Sequence, residues 1–290
     1  MFKKEWTKEE IDFLKNNYLK MTNKEIGEKI NRTTHAVQIK LSKLGWKRPE
    51  QYYYDKDFFK EINTEEKAYW LGFLYADGYV CLNKKNGNSE VGIELSAIDI
   101  DHLRKFNKSI HGNVEPIIRK ERKTNMDSKN GIASFRLYCT SMVKDLINQG
   151  CVQNKTFLIS FPKFSSKEIM WTFIRGFFDG DGCIYKDKNR NFIGFNFISG
   201  SKKFLEGLQK FLFEEKIYAY LSEETRKDNK FKHSHTTYKL TITGMNNAYI
   251  FGQKLYKNAS IYLDRKKNKY ETALEEYDIV NRTKNRPHRR

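Results

Sequence analysis

Two segments about a hundred residues apart carry one pattern: Trp70-Leu71-Gly72-Phe73-Leu74-Tyr75-Ala76-Asp77-Gly78 and Ile174-Arg175-Gly176-Phe177-Phe178-Asp179-Gly180-Asp181-Gly182. Each is an apolar stretch of helical character with small residues at i and i+4, then an Asp, then a Gly that ends it. Gly72/Ala76 and Gly176/Gly180 leave a flat strip on each helix, so two backbones can approach more closely than large side chains allow. Helices packed in parallel through those strips bring Asp77 and Asp181 to the same end. Carboxylates are unfavourable there. A helix C-terminus is already partly negative, and an anion in its last turn is destabilised by roughly 0.3–1 kcal/mol. Two carboxylates in contact also repel, and one is driven toward protonation. A divalent cation relieves both effects, and Mg²⁺ takes oxygen ligands, commonly one or two carboxylates with water and phosphate oxygens. A single Asp-Gly would as readily be a turn; the doubled pattern favours a shared site.

The two segments resemble the LAGLIDADG motif of homing endonucleases and intein-type DNA endonucleases. Gly72 and Gly176 match its central Gly, Asp77 and Asp181 its metal-binding acid, and Gly78 and Gly182 its final Gly. Trp70-Leu71 and Ile174-Arg175 depart from the usual Leu-Ala, and Tyr75 replaces the first Asp, a position the family varies. Arg175 is expected to point away from the paired helix. The likeness extends beyond the motifs. After each one the chain reads strand, strand, helix, strand, strand, helix. Val91–Ser96 corresponds to Ile193–Ser199, Ile100–Ile110 to Lys202–Phe213, and Phe135–Thr140 to Tyr238–Thr243. A diverged repeat of this kind means one chain standing in for a dimer.

The resemblance implies an α+β fold, with two pseudo-symmetric αββαββα repeats (64–163 and 164–274) forming a DNA-binding β-saddle. It implies a monomeric, site-specific endonuclease that hydrolyses both strands of double-stranded DNA. Mg²⁺ or Mn²⁺ would be held by Asp77 and Asp181 together with Gly78 and Gly182. A catalytic Lys near the end of each repeat is also expected, and Lys155 and Lys266 occupy those places. Two other readings stay open: a catalytically inactive LAGLIDADG-type transcription regulator, and an RNA maturase assisting intron splicing. Both acids are present, which argues against the regulator.

Charge points the same way. A formal net charge of +18 over 290 residues, with 14% aromatic residues, favours a folded protein with a polyanionic partner. There is no run of eighteen apolar residues, and Met-Phe-Lys-Lys-Glu-Trp is no signal peptide, so a cytoplasmic, DNA-associated protein of a bacterium or phage-infected cell is expected. The four cysteines form no C-x-x-C pair and read as free thiols.

Residues 1–48 read as a separate all-α module. Thr7 and Glu10 form a capping box before a first helix, a second follows Thr22-Asn23, and Asn31-Arg32-Thr33 turns into a third that Gly45 closes. This is the layout of a helix-turn-helix, and it is similar to small bacterial and phage domains of that kind. Ala36, Val37, Leu41 and Leu44 would hold its core. Thr34, His35, Gln38, Lys40 and Lys43 would face the major groove and phosphates. Residues 49–63 read as a linker that either tracks DNA or packs on the next domain.

In the strands Phe135–Thr140 and Tyr238–Thr243, period two separates an apolar set from Arg136, Tyr138, Lys239 and Thr241, which are assigned to DNA. Arg119, Arg122, Arg226 and Lys227 lie on hairpins and are expected at phosphates, as are Lys120, Lys123, Lys230 and Lys232. Residues 275–290 read as a basic tail.

Overall fold

The computed structural model describes residues 5–48, 52–83, 89–119, 131–187, 192–228 and 233–284. The chain divides into two compact units, Met1–Tyr53 and Tyr54–Arg290.

The first unit holds three helices: α1 (Lys8–Asn17), α2 (Asn23–Lys29) and α3 (Thr34–Lys43). Thr7 with Glu10 and Thr22 with Glu25 form reciprocal capping boxes, and the Thr33 hydroxyl accepts from the Ala36 amide. Each supplies partners for backbone N–H groups that a helix start leaves unpaired. Leu14, Ile26, Val37 and Leu41 are buried together, with Trp6, Leu44 and Trp46 packed against them. Arg32 bridges to Glu10 at 2.8 Å and lies over the Trp6 ring, pinning the turn before α3 to α1.

The second unit contains two copies of one plan. The first copy runs α4 (Glu65–Ala76), β1 (Gly78–Cys81), β2 (Glu90–Ser96), α5 (Ile100–Ser109), β3 (Ile117–Arg119), β4 (Ile132–Tyr138) and α6 (Thr140–Asn148). The second runs α7 (Lys167–Asp181), β5 (Cys183–Asp187), β6 (Phe192–Ser199), α8 (Lys202–Glu214), β7 (Ala219–Asp228), β8 (His233–Ile242) and α9 (Met245–Tyr256), and α10 (Asp264–Lys284) follows. The sheets are antiparallel with equivalent orders, β1-β2-β4-β3 and β5-β6-β8-β7. Alternation sets their inner faces: Val91, Ile93, Phe135 and Leu137 in one, and Phe195, Phe197, Leu240 and Ile242 in the other, are all buried. One continuous core joins them through α4 and α7, both almost wholly buried.

Three boundaries bear on the sequence reading. Phe58 and Phe59 lie in the core, so of the two alternatives for residues 49–63 the later part takes the packed one. The cap of α7 is Ser166, whose hydroxyl accepts from the Glu168 and Ile169 amides. The presumed tail beyond 274 is helical through Lys284, because Leu274, Glu275 and Glu276 continue a run of good helix formers.

Candidate functional site

The close approach of α4 and α7 builds the site. A Cβ on Gly72 would stand 2.0 Å from the Phe173 carbonyl oxygen, and one on Gly176 would stand 1.9 Å from that of Tyr69. Only hydrogen fits at either position. Further along, a Cβ on Gly180 would meet the Ala76 methyl at 2.3 Å and the Asp77 Oδ2 at 3.4 Å. The Asp77 carboxylate therefore lies against the last turn of α7, the turn that ends in Asp181. Asp77 caps α4, its amide donating to the Phe73 carbonyl at 2.9 Å. Gly78 and Gly182 fold back on their own helices, where a Cβ would strike Leu74 and the Phe178 ring respectively.

Both acids are held above the usual carboxylate range. Asp77 is raised by burial, with Lys266 and Lys155 opposing the shift. Asp181 is pushed up to about 6, by burial first and then by the Asp77 charge. Solvent reaches the Asp181 side chain.

The two lysines hold the helix ends. Lys155 Nζ donates to the Leu74 carbonyl at 2.8 Å and also to that of Ala76. Lys266 Nζ donates to the carbonyls of Phe178 (2.6 Å), Gly180 (2.9 Å) and Gly182 (2.6 Å), which uses all three of its protons. These carbonyls lie in and just beyond the last turns, that of Phe178 also accepting from the Gly182 amide at 2.8 Å, and an ammonium there offsets the negative end of each helix dipole. Burial lowers both lysines, Lys266 to about 8.

Asp179 carries a role that its place in the motif did not disclose. Fully buried, it accepts from Tyr69 Oη (2.7 Å), Tyr256 Oη (2.8 Å) and the Leu263 amide (2.7 Å). The sequence signal was the asymmetry itself, an acid where the first motif has Tyr75. Arg175 does not point away from the paired helix. It is buried, with its guanidinium 5.8 Å from the Tyr69 ring of α4, donating to the Leu255 carbonyl at 3.1 Å.

On the sheets, Arg136, Tyr138, Lys239 and Thr241 lie on the face opposite the core. Arg136 is tied to Glu94 at 2.6 Å and Glu90 at 3.6 Å, and Lys239 to Glu224 at 3.6 Å. Arg119 is exposed at the end of the edge strand β3. Arg226 and Lys227 fall in β7, opposite His235 and Ser234. Arg122, Lys120, Lys123, Lys230 and Lys232 lie outside the described residues, as does the end of the tail at 285–290. In the first unit Thr34, His35, Gln38 and Lys43 are exposed along α3, and Lys40 is half-buried with its Nζ over Trp6. Ala36 is half-buried rather than central to that core.

Among the described residues, no three His, Cys, Asp or Glu side chains cluster as metal ligands, and no helix is long and apolar enough to cross a membrane. Asp77 and Asp181 supply carboxylates at the ends of α4 and α7, whereas Asp179 is already taken up by three donors. That donor set fits a hard, oxygen-seeking cation that keeps water and takes substrate oxygens, and it does not fit an all-protein cage.

Two matched sheets joined through paired, small-residue helices ending in acids define one unit built of two pseudo-symmetric repeats. Residues 168–256, within the second repeat, match the LAGLIDADG-like domain family. Two curated relatives come from Methanocaldococcus jannaschii. One is DNA-directed RNA polymerase subunit Rpo1C, 25% identical over 227 residues, covering 76% of this chain and 21% of the relative. The other is a probable translation initiation factor IF-2, 29% identical over 224 residues, covering 74% and 17%. The chain thus spans about a fifth of the length of the curated relatives it matches. Among solved structures, the LAGLIDADG homing endonuclease I-GzeII in complex with its DNA target aligns over 75% of this chain and 91% of that one, at 10% identity and a TM-score of 0.47.

Proposed function

We propose that the chain is a monomeric, metal-dependent endonuclease that cuts both strands of double-stranded DNA at a specific site. The meeting of Asp77 and Asp181 at the ends of α4 and α7 carries this reading. Burial and the negative helix ends disfavour both carboxylates, and the Lys155 and Lys266 ammoniums offset this only in part, since both acids remain raised; a divalent cation would offset the rest. Mg²⁺ or Mn²⁺ bound there would activate a water and stabilise the leaving oxygen of a phosphodiester.

The chain's own residues do the rest. Asp77 and Asp181, with the adjoining backbone of Gly78 and Gly182, would hold the metal. Lys155 and Lys266 keep the helix ends in register and add positive potential beside the reacting phosphates. The outer sheet faces form a saddle over the duplex. There Tyr138 and Thr241 contact base edges, Arg136 and Lys239 turn from Glu94 and Glu224 toward the DNA, and Arg119, Arg122, Arg226 and Lys227 bind phosphates. The first unit adds a helix-turn-helix contact through Thr34, His35, Gln38, Lys40 and Lys43 on α3.

One segment of over two hundred residues recurs in a polymerase subunit and in an initiation factor, proteins with unrelated tasks. That recurrence supports a mobile genetic element that travels independently of its host protein. Incubating the chain with a randomised duplex library in Mg²⁺ tests the function. Linear products that vanish in Asp77→Asn and Asp181→Asn are expected; tight binding with no cutting by the unmodified chain would point to the regulator instead.

A further inference from the structure

The two halves fasten their lysines by the same circuit built from different chemistry. In the second half, Asp179 near the end of α7 accepts from the Leu263 amide at 2.7 Å. The Lys266 amide in turn donates to the Leu263 carbonyl at 3.0 Å. The Lys266 ammonium then returns to the α7 carbonyls on either side of Asp179. In the first half, Tyr75 holds the position equivalent to Asp179. Its hydroxyl donates to the Gln149 carbonyl at 2.6 Å, and the chain runs on to Lys155, whose ammonium returns to the α4 carbonyls on either side of Tyr75.

The neighbours match each choice. Tyr69 of α4 donates to Asp179, and its counterpart in α7 is Phe173, which sets its ring edge-on to Tyr75 at 5.1 Å. A buried carboxylate needs donors, and Tyr69, Tyr256 and the Leu263 amide provide three. A buried tyrosine already bonded to a carbonyl needs none, and Phe173 offers none. His102 extends the network, its Nε2 lying 3.1 Å from Tyr69 Oη. Because Tyr69 gives its proton to Asp179, the Nε2–H is the donor in that contact.

We propose that Asp179 and Tyr75 are positioning residues, each fixing the lysine of its own half against its motif helix, so that the two halves can be impaired one at a time. The consequence for cleavage rests on the nuclease reading; the consequence for the lysines does not.

Amine labelling followed by mass spectrometry reads the lysines directly, on the full chain without DNA or metal. Asp179→Asn should speed labelling of Lys266 by about tenfold, the scale of a lost charge-assisted hydrogen bond, and leave Lys155 unchanged. Tyr75→Phe should do the reverse. Should Asp179→Asn fail to fold, Tyr256→Phe, which removes a single donor, should show the same selectivity for Lys266. Equal effects on both lysines, or none, in the folded variants would overturn the proposal.

A cognate duplex labelled on both strands then gives the functional readout. Asp179→Asn should slow one strand and Tyr75→Phe the other, whereas a general loss of fold would slow both alike and count against the proposal. If the unmodified chain cuts nothing while the labelling pattern holds, the nuclease reading falls and the positioning roles stand.

Discussion

Gly72 and Gly176 each press against the backbone of the other's helix: the space for a Cβ on Gly72 is filled by the Phe173 carbonyl, and on Gly176 by that of Tyr69. The contact is reciprocal, as two-fold pseudo-symmetry requires. It sets how close α4 and α7 lie, and so how close Asp77 and Asp181 come. Adding a methyl at either glycine forces the helices apart along their whole contact. Gly72→Ala or Gly176→Ala should destabilise the chain by about 1–3 kcal/mol, the range for overpacking a tight core. Urea denaturation measures this, and cleavage should fall further than stability because the acids separate.

The lysines should differ in the damage their loss does. Lys266→Met strands the Gly180 and Gly182 carbonyls, since that of Phe178 keeps the Gly182 amide, whereas Lys155→Met strands only that of Ala76, since that of Leu74 keeps the Cys151 thiol; each buried acceptor left unpaired costs about 1–3 kcal/mol. Thermal melting should rank Lys266→Met below Lys155→Met, and both below the unmodified chain.

Acidity provides a separate handle. The folded pKa of Asp181, about 6, lies above the ordinary carboxyl value of 3.8, so the fold favours the protonated acid. In metal-free protein that contribution is present at low pH and is lost as pH rises from about 4 through about 6. Asp181→Asn should therefore melt higher than the unmodified chain above pH 6 without metal, and the gap should shrink on acidification. Mg²⁺ uptake runs the opposite way, since it needs the ionised carboxylate, and cleavage should decline below pH about 6.

The three-helix unit has its own core and caps, and Tyr54–Arg290 holds a core that includes Phe58 and Phe59. Deleting residues 1–53 should leave the remainder folded by circular dichroism and able to cut at high concentration. Its affinity for the target should be weaker and its salt dependence shallower, because fewer phosphates are neutralised.

Much of this was legible in the sequence because it was local or repeated. The Gly72/Ala76 and Gly176/Gly180 strips, the capping boxes of α1 and α2, and the strand alternation at Phe135 and Leu240 depend on spacing along one chain. What stayed hidden depends on register between distant segments. Glu90 and Glu94 reach Arg136 only once β2 pairs with β4, and Lys266 finds its carbonyls only once α10 turns back on α7. Arg175 seemed misplaced in an apolar motif because its partners, the Tyr69 ring and the Leu255 carbonyl, come from other elements. Asp179 was visible as a letter, but its three donors lie on α4, at the end of α9 and just before α10.

The most direct test is cleavage of a plasmid library in Mg²⁺ by the unmodified chain, Asp77→Asn and Asp181→Asn, with binding followed in parallel by gel shift. Linear product from the unmodified chain, its loss in both variants and retained binding by all three are predicted. Cutting that survives both substitutions would contradict the account, for the paired carboxylates would then not be where the chemistry happens.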